Sequence, residues 1–309
     1  MNHSLSTQPL SIFITGGTGF LGRALIGNWL KQGHQVTVLS RNPLTAIQLL
    51  GPQVNAVSDF NMLPAGGHFD AIVNLAGEPI FGGRWTDERK RRLRVSRIAL
   101  TAKLVAFIAT LAVKPKVLVS GSAIGVYGNQ GDTLLTENSP GKTDFSQQLC
   151  ADWENAARQA EALGVRVCLI RTGLVLDNGG GLLQRMLPAF RLGLGGRLGD
   201  GRQWMSWVHR RDWLAAVDTL INTPDLHGAF NATAPQPVTN REFSDSLAKH
   251  LHRPALLPMP AALLKVLLGE MAELVLGSQR VIPERLQAEG FQFQFPTLES
   301  ALQQILPPG

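Results

Sequence analysis

Ser11-Ile12-Phe13-Ile14-Thr15-Gly16-Gly17-Thr18-Gly19-Phe20-Leu21-Gly22 runs from a short apolar strand straight into a glycine turn and on into a helix. That order of elements is what a phosphate-binding turn requires. Gly17 and Gly19 let the turn tighten and the backbone come close to a pyrophosphate, while Gly22 lets helix and strand pack closely. The ligand phosphates then meet free amides at the positive end of the helix dipole. Gly16, Gly17, Thr18, Gly19, Phe20 and Leu21 are accordingly candidate cofactor contacts.

Outward from that turn, the helix reads to about Lys31, Gly33-His34 ends it, and Val36–Leu39 is the next strand. Strand-like runs recur at Ala71–Leu75, Val117–Ser120 and Val165–Ile170, with helical stretches between them. Alternation at this spacing predicts an α/β fold, a doubly wound parallel Rossmann sheet covered on both faces. Beyond Leu176 the pattern changes to an Asp177-Asn-Gly-Gly-Gly181 loop, a glycine-rich segment at 193–201, and helices over Asn240–His250, Ala261–Leu274 and Leu298–Ile305. The expected division is a dinucleotide-binding domain at residues 10–175, to which a segment near 207–233 returns, and a smaller C-terminal lobe at 176–309 on the substrate side.

The composition excludes several classes. No run approaches the roughly 18 apolar residues of a membrane span; the apolar stretch Leu263–Leu268, flanked by Lys265 and Glu270, reads as a core or interface helix. The start MNHSLSTQPL has neither a basic end nor an apolar centre, so no signal peptide is expected and the expected compartment is the cytoplasm. Two cysteines, Cys150 and Cys168, support neither a disulfide framework nor a metal site. The net charge of +6 lies largely in Arg89–Arg97, without interleaved aromatics, so a basic cofactor pocket or an anionic substrate explains it better than nucleic acid. The expected partner is a small-molecule substrate; the oligomeric state is not readable.

The second strand ends Val38-Leu-Ser-Arg41. An NAD site wants a carboxylate here for the ribose 2′-hydroxyl, and that carboxylate would repel a 2′-phosphate. Instead Ser40 offers a donor and Arg41 a permanently charged planar fork, which points to NADP(H). Asp59, after the following strand, is either a cap on the adenine edge or an ordinary turn aspartate.

Taken together, Thr15–Gly22, Ser40-Arg-Asn-Pro43, Asn74-Leu-Ala-Gly-Glu78, Ser96-Arg97, Ser120–Gly128, Arg171–Leu176, Trp207-Val-His209 and Gly277–Pro283 resemble the short-chain dehydrogenase/reductase superfamily in its NAD(P)-dependent epimerase/dehydratase branch. Within that branch the chain more closely resembles the atypical epimerase-family proteins of the YfcH type. The resemblance implies that Leu75, Ala76 and Gly77 line the adenosine side of the cofactor, that Arg97 approaches it, and that Val175 contacts the nicotinamide end. For Leu75, Ala76 and Val175, core packing is the competing reading. Arg97 falls on a helix that Thr86-Asp-Glu-Arg begins, with Leu93, Leu100, Leu104, Phe107 and Leu111 on its buried face. Cations in its first turns oppose the helix dipole, which a nearby anion such as NADP would relieve.

Hydride chemistry in that superfamily uses a Tyr-x-x-x-Lys pair. Here the single tyrosine, Tyr127, is followed four residues on by Gly131, and the expected positions of the pair hold Phe145 and Leu149. The usual mechanism is therefore excluded. The remaining catalytic candidates are Glu78, as an acid or base or else an interface hydrogen-bonder, Ser122, as a substrate contact, and Tyr127, facing the site or packed between lobes. Arg171 and His209 are expected to tie the lobes together, and Trp204 and Trp207 either line a pocket or fill core. Two functions stay open: an NADP-dependent oxidoreductase or epimerase on a small substrate, with a nucleotide sugar suggested by fold analogy, and a non-catalytic NADP(H)-responsive protein.

Overall fold

In the computed structural model of the chain, residues 8–63 and 67–306 are described; most of the N-terminal stretch inspected for a leader, residues 1–7, lies outside them. The strands are β1 (Ser11–Thr15), β2 (Gln35–Leu39), β3 (Asn55–Val57), β4 (Ala71–Asn74), β5 (Val117–Ala123), β6 (Leu134–Leu135), β7 (Arg166–Thr172), β8 (Leu174–Asp177), β9 (Trp204–Met205), β10 (Trp207–His209), β11 (Gly228–Ala232), β12 (Val238–Thr239) and β13 (Arg280–Val281). The helices are α1 (Phe20–Lys31), α2 (Pro43–Leu50), α3 (Asp87–Arg94), α4 (Leu100–Thr110), α5 (Phe145–Arg158), α6 (Gly181–Arg191), α7 (Arg210–Asn222), α8 (Asn240–His250), α9 (Ala261–Leu268), α10 (Glu273–Leu276), α11 (Glu284–Ala288) and α12 (Leu298–Ile305).

Seven strands form one parallel sheet in the order β11-β7-β5-β4-β1-β2-β3. Successive residues of β1 face opposite sides. Ile12 and Ile14 join Val38, Val73, Val119 and Ile170 under α1 and α7, while Phe13 joins Ile72 and Leu118 under α4 and α5. Both faces are buried, so the strands read as near-continuous apolar runs. A third core, with Leu183, Leu187, Trp207, Phe243, Leu298 and Leu302, lies beyond the sheet and holds α6, α8 and α12 together. Helix α8 starts with a capping box, Thr239 and Glu242 each bonding the other's backbone N–H.

Two helices depart from the sequence expectation. The stretch Ala261–Leu274 is not one helix: α9 stops at Gly269, whose φ of 60° lies in the left-handed region. The helix begun by Thr86 is interrupted by a π turn at Val95–Ala99 between α3 and α4. The extra residue in that turn rotates the apolar stripe, so Leu93, Leu104, Phe107 and Leu111 are buried while Leu100 is only half-buried. Among the described residues no helix is long and apolar enough to cross a membrane, and no cluster of three metal-ligating side chains occurs.

Helices α1 and α7 meet through a hydrogen bond from Trp29 Nε1 to Asp218 Oδ1, 2.7 Å. Burial pushes the Asp218 carboxyl up to about 6, with the indole bond acting weakly against it. The folded state therefore holds this proton more tightly than the unfolded chain. Stability must fall as pH rises between roughly 4 and 6 and stay lower above that window, by an amount on the order of 2–3 kcal/mol. Asp218→Asn keeps an acceptor for Trp29 and removes the charge. We expect its thermal midpoint to exceed that of the parent at pH 7, with the gap closing below about pH 4. A gap that does not change with pH would contradict the assignment.

Candidate active-site cleft

The sheet order reverses at β1. The chain leaves β1 for β2 on one side, while β4 and β5 lie on the other, so the loops after β1 and β4 diverge and open a crevice at their C-terminal ends. A cleft of about 1450 Å³ runs from there to α9 and α10. Gly16, Gly19, Phe20 and Leu21 line its first end. Helix α1 begins at Gly19 with no side-chain cap and no acid in its first turn, so its leading amides face the cleft without a competing anion.

The most demanding glycine is Gly16, rather than Gly17 or Gly19. Its φ is 73°, and a Cβ there would lie 2.6 Å from the Leu75 carbonyl and 2.8 Å from the Ala76 nitrogen. Gly22 packs on the turn itself, where a Cβ would strike Gly16 O and Gly17 Cα. Gly17 faces Ile26 and Val38 behind the turn, and Thr18 is half-buried and off the cleft wall. Leu75 and Gly77 line the cleft, and Ala76 lies between them with its N–H bonded to Thr15 Oγ1 at 3.2 Å. Beneath these loops is a buried polar floor: Thr15 Oγ1 donates to Asn74 Oδ1, and Asn74 Nδ2 donates to Thr101 and Ser120.

Arg97 sits on the π turn and faces the cleft. Its guanidinium donates to Glu78 O at 2.9 Å, lies 5.4 Å from the Trp153 ring, and packs so close to Gly77 that a Cβ there would lie 2.9 Å away. Burial lowers its pKa. No carboxylate pairs with it among the described residues, so this cation is placed for an anion from the cleft. Glu78 is placed otherwise. Its carboxylate is ion-paired with Arg89, which also bonds Pro79 O, and it does not line the cleft. Of its two sequence readings, the structure shows the hydrogen-bonding one.

Ser40 and Arg41 lie at the end of β2, outside the enclosed part of the cleft. Ser40 bonds the Asn42 backbone in both directions, and Asn42 caps α2 through Thr45 N. Arg41 is exposed and engages no partner among the described residues. Asp59 caps a short turn by accepting from Asn61 N at 2.9 Å, as a turn aspartate does.

At the opposite wall, Ser122 lines the cleft and donates to Glu154 Oε1 at 2.7 Å. Glu154 is buried and held by Arg171 through two bonds of 2.8 and 2.9 Å. An ionised carboxylate takes the only Ser122 proton, leaving that oxygen to face the cleft as an acceptor. Arg171 also donates to Tyr127 Oη at 3.0 Å and Glu137 O at 2.9 Å, and Tyr127 donates to Asn231 Oδ1 at 2.6 Å. Tyr127 is fully buried, absent from the cleft wall, and pushed up to about 12 by burial. The catalytic expectation for Tyr127 is thus corrected: it is an interior strut that no substrate can touch. Val175 also departs from expectation. It packs in the sheet core, and its neighbours Thr172, Gly173 and Leu174 line the cleft instead.

Trp204 lines the cleft and Trp207 is core. Arg171 and His209 are interior ties. His209 caps α7 through Nδ1, and Nε2 bonds Gln304 of α12 at 2.7 Å. Cys150 lines the cleft, but burial pushes its thiol up to about 12, which removes it as a thiolate nucleophile at neutral pH. Sequence reasoning missed Glu154 and Trp153. The signal was present: on α5 Glu154 falls on the same face as Leu149, Cys150, Trp153 and Ala157, and a charge on an apolar face needs a buried partner.

Comparison with known proteins follows the same outline. The family profile described as "NAD dependent epimerase/dehydratase family" matches residues 12–232, and one described as "Domain of unknown function (DUF1731)" matches residues 259–305. The chain is 38% identical over 311 residues to "Epimerase family protein SDR39U1 homolog, chloroplastic" of Arabidopsis thaliana, covering 98% of this chain and 88% of that protein. It is 37% identical to "Epimerase family protein YfhF" of Bacillus subtilis, covering 96% and 98%. Among solved structures, human epimerase family protein SDR39U1 (isoform 2), crystallised with NADPH, superposes with a TM-score of 0.86 at 34% identity, covering 96% of this chain and 99% of that one.

Proposed function

Because the chain belongs to the NAD dependent epimerase/dehydratase family, we propose that it is an NADP(H)-dependent oxidoreductase or epimerase acting on a small molecule in the cleft. The observation that carries the reading is the size and shape of that cleft. About 1450 Å³ exceeds the ~300–1,000 Å³ of an ordinary small-molecule pocket, leaving room for a dinucleotide and a second ligand beside it. Its first end suits the dinucleotide: the Gly16 turn has no side chain to hold a phosphate away, the α1 amides carry no side-chain cap, and Arg97 has no carboxylate partner among the described residues. The human relative crystallised with NADPH supports the choice of cofactor.

When bound, NADP(H) supplies or accepts a hydride. The chain's own residues position and shield. Arg97 and the α1 amides hold the phosphates, Trp153 and Leu75 exclude water, and Ser122 presents an acceptor oxygen to a substrate hydroxyl. With Tyr127 in the interior and Glu78 bound to Arg89, protons exchange with water. The substrate is a small molecule, and nucleotide sugars are the first class to screen.

The withdrawal of Tyr127 favours a second reading, a non-catalytic NADP(H)-responsive protein. Steady oxidation of NADPH with any carbonyl substrate would eliminate it.

The cofactor assignment is tested by titrating NADPH and NADH against tryptophan fluorescence, with Trp153 and Trp204 in the cleft as reporters. Arg41→Ala should weaken NADPH at least about tenfold, one charge-assisted contact of roughly 1.5–3 kcal/mol, and leave NADH within about twofold. Equal losses for both would refute the 2′-phosphate assignment.

A further inference from the structure

Beyond Ser122 the cleft is walled by the loop at 79–81, by residues from 142–150 at the start of α5, and by the stretches 199–206 and 261–279. Among the described residues Arg97 is the only arginine on the cleft wall, and it stands at the dinucleotide end against Gly77. The other half has two cations, Lys142 and Lys265, both exposed. Four carboxylates share its walls: Asp144, Asp200, Glu270 and Glu273. Two are engaged from outside the cleft, Glu270 by Lys90 and Asp200 loosely by Arg202 at 4.0 Å. Asp144 and Glu273 then match the two lysines, which leaves this half close to neutral. Fold analogy makes nucleotide sugars the first class to screen, but a diphosphate held here would find no guanidinium fork and no net counter-charge for the water it loses.

What this half does offer is acceptors. Gln203 is 7% exposed, and both protons of its amide are held inside the protein, on Leu198 O at 3.1 Å and Val275 O at 3.0 Å. Its Oε1 accepts from no group among the described residues and opens on the cleft. Ser122, 4% exposed, is held in the same way, with its proton on Glu154. A buried acceptor left without a donor costs about 1–3 kcal/mol, so each oxygen calls for an O–H or N–H from the ligand. An ionised phosphate has none to give. The rest of the wall is largely apolar, with Ile80, Phe81, Leu149, Leu274 and Leu276 lining it. Trp204 adds ring surface and no donor, because its Nε1 already donates to Asp132 at 2.8 Å. The Arg280 guanidinium lies 4.4 Å from the ring centre and keeps the indole in place.

Resting on the NADP(H) reading of the first end, we propose that the second half of the cleft takes an uncharged, largely apolar alcohol that carries a second hydrogen-bond donor, and that it excludes nucleoside-diphosphate sugars. One donor goes to Ser122 Oγ and the other to Gln203 Oε1, while the body of the molecule packs on Trp204 and the aliphatic wall.

The test is calorimetric titration of the full chain, first with NADPH. The NADPH-saturated protein is then titrated with a series of medium-chain α,ω-alkanediols, the mono-alcohols of the same lengths, and UDP-glucose. The best diol should bind at least about tenfold tighter than the mono-alcohol of its length, the worth of one further hydrogen bond, and at least about tenfold tighter than UDP-glucose. Ser122→Ala should erase the diol's advantage over the mono-alcohol and leave NADPH affinity within about threefold. Failure to bind NADPH would remove the cofactor reading and the proposal with it. Tight NADPH binding combined with UDP-glucose binding as strong as the best diol's, with no diol binding, or with a diol advantage that survives Ser122→Ala would overturn the proposal and leave the cofactor reading standing.

Discussion

Gly16→Ala is expected to weaken NADPH binding by at least about 100-fold, some 2.7 kcal/mol, and to lower the thermal midpoint by several degrees. Two costs combine. The backbone at φ 73° penalises any Cβ by about 1–2 kcal/mol. The added carbon would also lie 2.6 Å from the Leu75 carbonyl, and backbone atoms cannot rotate away as a side-chain tip would. Nor is the Leu75–Ala76 loop free to retreat, since Leu75 N is bonded to Thr15 O at 3.1 Å and Ala76 N to Thr15 Oγ1 at 3.2 Å. The two loops that frame the crevice must separate, and the phosphate cradle is lost with them. Gly27→Ala is the matched control. Gly27 lies within α1 with nothing near its missing Cβ, so the change should leave NADPH affinity unaltered and stabilise the helix by about 0.5–1 kcal/mol. Retention of NADPH affinity within about threefold in Gly16→Ala would show that the cofactor does not use this turn.

Glu154→Leu should cost about 3–5 kcal/mol, a fall of roughly 10 °C in thermal midpoint. Glu154 and Arg171 are both buried, and the carboxylate is the guanidinium's only ionised partner among the described residues. Its removal leaves a desolvated cation that Tyr127 Oη and Glu137 O cannot neutralise. The double variant Glu154→Leu/Arg171→Leu should recover most of the loss, because a buried ion pair taken out whole costs far less than one taken out by half. Unfolding by urea measures both. A single variant within about 1 kcal/mol of the parent would mean that the pair is solvated in solution.

Much of this was legible along the chain because it depends on neighbours in sequence. The strand, glycine turn and helix of Ser11–Lys31 are local, and so is the alternation that predicts a parallel sheet. Asn240–His250 and Leu298–Ile305 were readable to the residue from their apolar period. Where two outcomes have nearly equal local preference, sequence reasoning failed. A π turn at Val95–Ala99 and a stop at Gly269 change helix continuity without changing the apolar composition that signals a helix.

By itself the sequence determined the fold class, the position of the glycine turn between β1 and α1, the Ser40-Arg41 end of β2 and the absence of any Tyr-x-x-x-Lys pair, since each is a matter of which residues stand at which spacing. Only the tertiary structure decided what the polar residues do. The sequence left Tyr127, Glu78 and Ser122 each with two readings because a side chain's chemistry depends on its desolvation and partners. Those partners come from far away: Asn231 lies 104 residues from Tyr127, and Glu154 lies 32 from Ser122. Burial removed Tyr127 from the chemistry, Arg89 claimed Glu78, and Ser122 alone of the three was left on the cleft wall.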